Sequence, residues 1–280
     1  MELRKVGSLV QLGDKELFEE IALGLRLLFQ HASQLHADAN TLRGRGNKSH
    51  GAVLLHSLAE EEAAKFLILL DAVRCPKQAL GLHLRKFYDH LARCLYAEAY
   101  GAIATGLGSD SFGALKQHLE QEKMSYYLDE LGVVRNLHLF ARETAYYVDF
   151  VEETGGVRHW MDPLGWWFTG PPMAFKMVKS MVDVGLTTIP AALAVIAGVW
   201  RGVAIEDDMR WMDRDRLNQE TLEILKEQSL LQDQPQEVYE HIIRGWQFPL
   251  YGIDLNEDKA GGKDLRRRLK DHEKSVPNGC

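Results

Sequence analysis

SHGAVLLHSLAEEEAAKFLILLDAVR, residues Ser49–Arg74, is the stretch whose reading decides the fold of this 280-residue chain. Ala, Leu, Glu and Lys dominate it, all strong helix formers, and Pro76 closes it two residues after Arg74. At about 100° per residue, Leu55, Leu58, Glu62, Phe66, Leu69 and Val73 fall on one apolar face. Glu62 therefore sits in the middle of the stripe predicted to be buried. Lys65 lies at its edge, three residues after Glu62 and four after Glu61, where opposite charges meet on a helix. Glu60 and Arg74 are expected to be ordinary solvated charges. A carboxylate on a buried stripe is costly unless paired and hydrogen-bonded. Such a conflict between pattern and chemistry marks either a functional site or a device that fixes helix packing.

Working outward, the N-terminal side predicts a helix from Asp14, an N-cap, to about Ala37, with Leu17, Ile21, Leu25, Leu28, Ala32 and Leu35 in helical period. The intervening TLRGRGNKSHG is basic and glycine-rich. No strand precedes it and it has no GK[ST] ending, so it reads as a surface loop in which Arg43, Arg45 and Lys48 can touch phosphate.

On the C-terminal side a third helix is predicted from Leu82 to Thr105, with Leu84, Phe87, Leu91 and Leu95 apolar. His83, Lys86, His90 and Arg93 form a basic ridge beside that face. Asp110 or Ser111 caps the next helix, which runs through LKQHLEQEKMSYYLDEL to near Gly132. A fifth helix is predicted over Val134–Glu152. On it Arg135, His138, Leu139, Arg142, Tyr146 and Asp149 share a face, and five of the six can exchange protons or hydrogen bonds. That face reads as a polar inter-helix network or as one wall of a binding cleft.

Beyond Thr154, GGVRHWMDPLGWWFTGPPM is a loop whose tryptophans either seal a bundle end or stack on bases. A helical region from Pro172 to Val203 is expected to break at Pro190, and two polar helices follow. The tail after Asp254 has little apolar surface and reads as flexible, with Arg266, Arg267 and Arg268 exposed. No alternating β pattern stands out, so the class is all-α and the architecture a helical bundle. The division expected is a bundle over 1–205, a C-terminal helical extension packed on it over 206–255, and a polar tail over 256–280.

The formal net charge of −7 argues against a surface coated for nucleic acid, while leaving room for a local basic groove. Cys75, Cys94 and Cys280 have no metal or disulfide spacing and read as thiols in a reducing compartment. MELRKVGSL lacks the long apolar core of a signal peptide. Val184–Trp200 is uncharged but diluted by Gly, Thr and Pro190, so a buried helix is expected and not a membrane span. A cytoplasmic protein without cofactor or metal follows.

LLHSLAEEEAAKFLILL, then KFYDH, then RETAYYVDF, in that order over Ser49–Phe150, resembles the AbiV family of abortive-infection proteins. That family is placed among the HEPN-type helical proteins. The resemblance implies a HEPN-like up-and-down bundle with extra C-terminal helices, a homodimer, and a role in defence against phage. Many HEPN members are metal-independent ribonucleases marked by Arg, four to six residues, then His. Arg85–His90 has that spacing inside the matching segment, with Lys86 where the family often has Asn or Asp. Positions five apart on a straight helix diverge by about 140°, so the pair converges only at a helix end or across a dimer.

The resemblance thus implies Arg85, His90, Glu62 and Lys65 as the catalytic set, with Glu61, Lys86, Arg135, His138, Arg142, Tyr146 and Asp149 lining the site. His90 would move the proton, Arg85 and Arg142 would stabilise phosphoryl charge, and Glu62 and Lys65 would order the site. The partner would be RNA. The alternative is a non-catalytic protein that binds a phage or host protein and shuts down translation or growth. A third arrangement, a carboxylate-bridged metal site on Glu61, Glu62 and His90, lacks the paired Glu-x-x-His motif.

Overall fold

The structure is a computed structural model that describes residues 5–43, 50–105, 110–128, 134–144, 149–152, 158–161, 172–187 and 189–257. Ten α-helices carry the described residues. They are α1 (Asp14–Arg43), α2 (His50–Arg74), α3 (Lys77–Leu84), α4 (His90–Thr105), α5 (Phe112–Lys123), α6 (Leu137–Thr144), α7 (Met173–Asp183), α8 (Pro190–Trp200), α9 (Trp211–Glu227) and α10 (Gln236–Gly245). The expected helical class is the frame of the molecule.

α2 is its axis, touching α1, α3, α4, α7 and α8. From Ala63 to Arg74 every residue except Lys65 is buried, so the helix is apolar nearly all round and not amphipathic. This overturns the single-stripe reading. Arg74, expected in solvent, is fully buried. Its guanidinium lies 4.8 Å from the Trp200 ring and 4.5 Å from the Trp246 ring. It also donates to Asp71 and to the Gln247 carbonyl. Asp71 in turn accepts from the Tyr96 hydroxyl and the Leu250 N–H, both at 3.0 Å. A buried charge survives only when paired and hydrogen-bonded in this way. The chain after α10 is thereby drawn into the centre: Trp246, Phe248, Leu250, Ile253 and Leu255 belong to the same hydrophobic core as Leu17, Phe66 and Leu91.

Three predicted helices are shorter than the sequence pattern suggests. The Leu82–Thr105 helix is interrupted by a 3₁₀ turn at Arg85–Tyr88. Asp89, extended at φ −87° and ψ 123°, then restarts the chain as α4, its Oδ1 accepting the Ala92 N–H at 2.9 Å. Ser111 caps α5 through the Ala114 N–H at 3.2 Å. α5 stops at Lys123 rather than near Gly132, because Tyr126–Leu128 forms a strand, β1, antiparallel to Val134–Asn136, β2. The Val134–Glu152 helix is likewise corrected: β2 precedes α6, and Asp149–Glu152 is a third strand, β3, paired with Arg158–Met161, β4. Aromatic and β-branched residues favour these pairings, as in Phe150 against Trp160 with ring centroids 5.2 Å apart. The expected break at Pro190 is found, with the proline at the first turn of α8. Among the described residues no helix is long and apolar enough to cross a membrane.

Candidate functional site

Three consecutive glutamates on α2 look in three directions, as steps of about 100° require. Glu60, expected in solvent, accepts the backbone N–H groups of Ala174 at 3.2 Å and Phe175 at 3.0 Å and so caps α7 from a neighbouring helix. Burial nevertheless pushes its carboxyl up to about 7, against the lowering effect of the two N–H donors.

Glu61 is the hub. Its side chain is 8% exposed. Oε2 lies 3.1 Å from His90 Nδ1 and 3.1 Å from an Arg93 terminal nitrogen. Oε1 accepts from Arg142 Nε at 2.5 Å. Burial alone would raise this carboxyl, but hydrogen bonds from His90 and Arg142, and the charges of Arg142 and Arg93, outweigh it and hold Glu61 at about 2. A second Arg93 nitrogen lies 3.0 Å from His90 Nδ1, and the Arg93 Nε donates to the Asp89 carbonyl at 3.2 Å. Both residues are therefore set by the cap that starts α4. With Nδ1 turned to this cluster and the side chain 46% exposed, the imidazole presents its other edge, with Nε2, to solvent.

Arg142 arrives on α6, whose position is fixed from α5. Asn136 caps α6 by accepting the His138 N–H at 2.9 Å, while its amide donates to the carbonyls of Glu122 and Lys123. His138 Nε2 lies 2.9 Å from Glu122 Oε2, the main reason the Glu122 carboxyl is held below its usual range. Cys94 stands beside the cluster, where burial and then the Glu61 charge push its thiol up to about 12, so it stays a thiol.

The predicted site residues divide accordingly. Glu61, His90 and Arg142 come together. Arg93, in sequence only part of the basic ridge, joins them. Glu62 and Lys65 bond to each other on the α1 side of α2, away from the cluster. Arg85 is exposed in the 3₁₀ turn and makes no hydrogen bond or ion pair with His90. Lys86 is buried, its ammonium donating to the Leu250 carbonyl at 2.9 Å, and burial lowers it to about 8. It therefore holds the C-terminal segment and lines no site. His83 is also buried, with Nε2 2.7 Å from the Ile68 carbonyl. The basic ridge is thus dissolved by the break at Arg85–Tyr88. His138 faces α5. Leu139 packs on the core edge. Arg135 and Asp149 lie in β2 and β3, with side chains outside the described residues, as are Tyr146, Arg45, Lys48 and Cys280 entirely. Because Glu61 and Glu62 face different helices, they do not converge with His90 on a common metal position.

Chemically, the cluster supplies one imidazole that can exchange a proton with solvent-side groups, backed by two guanidinium groups and one ionised carboxylate. Arg93 was findable: it is three residues after His90 and so shares its face. No family model, curated protein or solved structure matches the chain.

Proposed function

We propose that this protein is an antiviral defence effector of the abortive-infection type, built on a HEPN-like bundle, that cleaves RNA without a metal at the Glu61–His90–Arg93–Arg142 cluster. The defence role and a homodimeric assembly rest on the resemblance of Ser49–Phe150 to the AbiV family, an associational support. The observation that carries the chemistry is the His90 ring, anchored through Nδ1 by a buried carboxylate and open at its other edge.

In this reading His90 is neutral, with its proton on Nδ1 facing Glu61. Nε2 accepts the 2′-hydroxyl proton while that oxygen attacks the adjacent phosphorus. The bond from phosphorus to the 5′-oxygen breaks, that oxygen takes a proton from solvent, and a 2′,3′-cyclic phosphate remains. Arg142 and Arg93 hold the charge on the phosphoryl oxygens. Glu61 stays ionised and orients the ring, as a carboxylate does for a catalytic histidine elsewhere.

A second reading has its own support. Both arginines already spend their charge on Glu61, and Arg85 stands apart from His90. A protein acting by binding a phage or host protein needs no cleavage. Incubating purified protein with total RNA separates the two. The nuclease reading expects fragments ending in 2′,3′-cyclic phosphate from the wild type and none from His90→Ala. Intact RNA with the wild type, together with growth arrest retained by His90→Ala, overturns it in favour of the binding reading.

A further inference from the structure

Glu62, which the Glu61 cluster leaves aside, borders a groove of about 470 Å³ between α1, α2 and the two 3₁₀ turns at Val6–Gln11 and Arg85–Tyr88. That volume falls within the range of roughly 300–1,000 Å³ usual for small-molecule sites. Its walls are aliphatic and aromatic: Leu9, Leu28, Leu69 and Phe87 face it, and Tyr88, whose hydroxyl accepts the Val6 N–H at 3.3 Å, closes one side. Gly24 belongs to the floor, where a Cβ would come within 2.8 Å of Leu69 Cδ2.

The charges lie at the ends of this apolar trough. Glu62, 15% exposed, gives Oε1 to Lys65. Its Oε2 has only His31 Nδ1 at 3.6 Å, beyond hydrogen-bond range and on a side chain 61% exposed. One carboxylate oxygen is therefore left able to accept. Glu20, exposed at the other end, has no ion pair among the described residues. Glu20 and His31 are eleven residues apart on one stripe of α1, so the two carboxylates are separated by about 16 Å along the helix. Lys5 also borders the groove and has a partner of its own.

An apolar channel with a carboxylate at each end complements a flexible methylene chain bearing ammonium groups at its ends, with the aromatic rings adding attraction for cations. We infer that this groove binds a linear aliphatic polyamine, its chain along Leu28 and Leu69 and its terminal ammonium groups on Glu20 and Glu62. A tetraamine of the spermine type matches the span, its two inner ammonium groups turned to the open, solvent side of the groove; a four-carbon diamine does not. This inference is independent of the nuclease reading, since the groove shares no residue with the Glu61 cluster.

Titration calorimetry of the full chain with spermine tests it. One molecule of spermine should bind per chain, with putrescine at least roughly tenfold weaker. Glu20→Gln and Glu62→Gln should each weaken spermine by roughly tenfold, and Leu28→Trp, which fills the trough without touching either carboxylate, should abolish binding. Glu227→Gln, a surface change on α9, should leave affinity unchanged. Absence of binding, equal affinity for putrescine and spermine, or the same loss in Glu227→Gln as in Glu62→Gln would overturn the inference. Unaltered circular dichroism and melting temperature of each variant secure the comparison against misfolding.

Discussion

At the scale of single residues, the informative fact is that Glu60, Glu61 and Glu62 are chemically alike and differently employed. One caps a helix, one collects two arginines and a histidine, and one borders a groove. Their stability effects should differ in the same order. Removing Glu61 as Glu61→Ala takes away the buried carboxylate that Arg93 and Arg142 share and should cost roughly 3 kcal/mol by urea denaturation, whereas Glu62→Leu should stay within about 1 kcal/mol. Their pH dependences have opposite signs. Glu61, held at about 2 against an ordinary 4.5, contributes stability that is present above pH 4.5 and lost as pH falls toward 2. His56 and His83, each lowered by burial to about 4 from 6.5, add stability present above 6.5 and lost on acidification through 4. Glu60, raised by burial to about 7, contributes stability that is present below 4.5 and lost as pH rises through 7. Glu60→Gln, which keeps one acceptor oxygen, should therefore gain on the wild type in melting temperature between pH 5 and pH 8. A gap that is constant over that interval would show that Glu60 does not titrate there.

At the scale of elements, the sequence located the helices better than it located their ends. The period through Ser49–Arg74 and the breaks at Pro76 and Pro190 are local signals, and the structure follows them. The interruption at Arg85–Tyr88 carries no proline or glycine, so nothing in the composition announces it, although Asp89 is an ordinary cap residue in retrospect. The consequence for the site was large, because the break turns His83 and Lys86 into the core and His90 and Arg93 onto Glu61. Choosing Glu62 over Glu61 had a different cause. An amphipathic wheel assumes one buried face, and a helix packed on several sides has none. The strands around α6 were missed because three- and four-residue strands offer too short an alternation to recognise. α6 itself depends on Asn136, which satisfies N–H groups of α6 and carbonyls of α5 together. Asn136→Ala should cost about 1–2 kcal/mol and raise amide exchange across Leu137–Thr144 more than across α2. Equal changes in both helices would contradict the assignment of Asn136 as the local clamp.

At the scale of the whole molecule, the buried Arg74 and the segment Trp246–Leu255 make the C-terminal part integral to the core. No sequence pattern indicated this, since the pairing of Arg74 with two tryptophans joins residues more than a hundred positions apart and is visible only once the chain is folded. A chain ending at Gly245 removes Trp246, Phe248, Leu250, Ile253 and Leu255 from the core and strips Arg74 and Lys86 of backbone acceptors. It should fail to show a cooperative thermal transition by calorimetry. The same tertiary logic assembles the candidate site, where α4 and α6 bring His90, Arg93 and Arg142 to the carboxylate that α2 carries. A double-mutant cycle on Glu61→Gln and Arg142→Gln, read by denaturant unfolding, tests that convergence most directly. The structure predicts a coupling energy of roughly 1–3 kcal/mol between the two positions; additive effects, with no coupling, would contradict it.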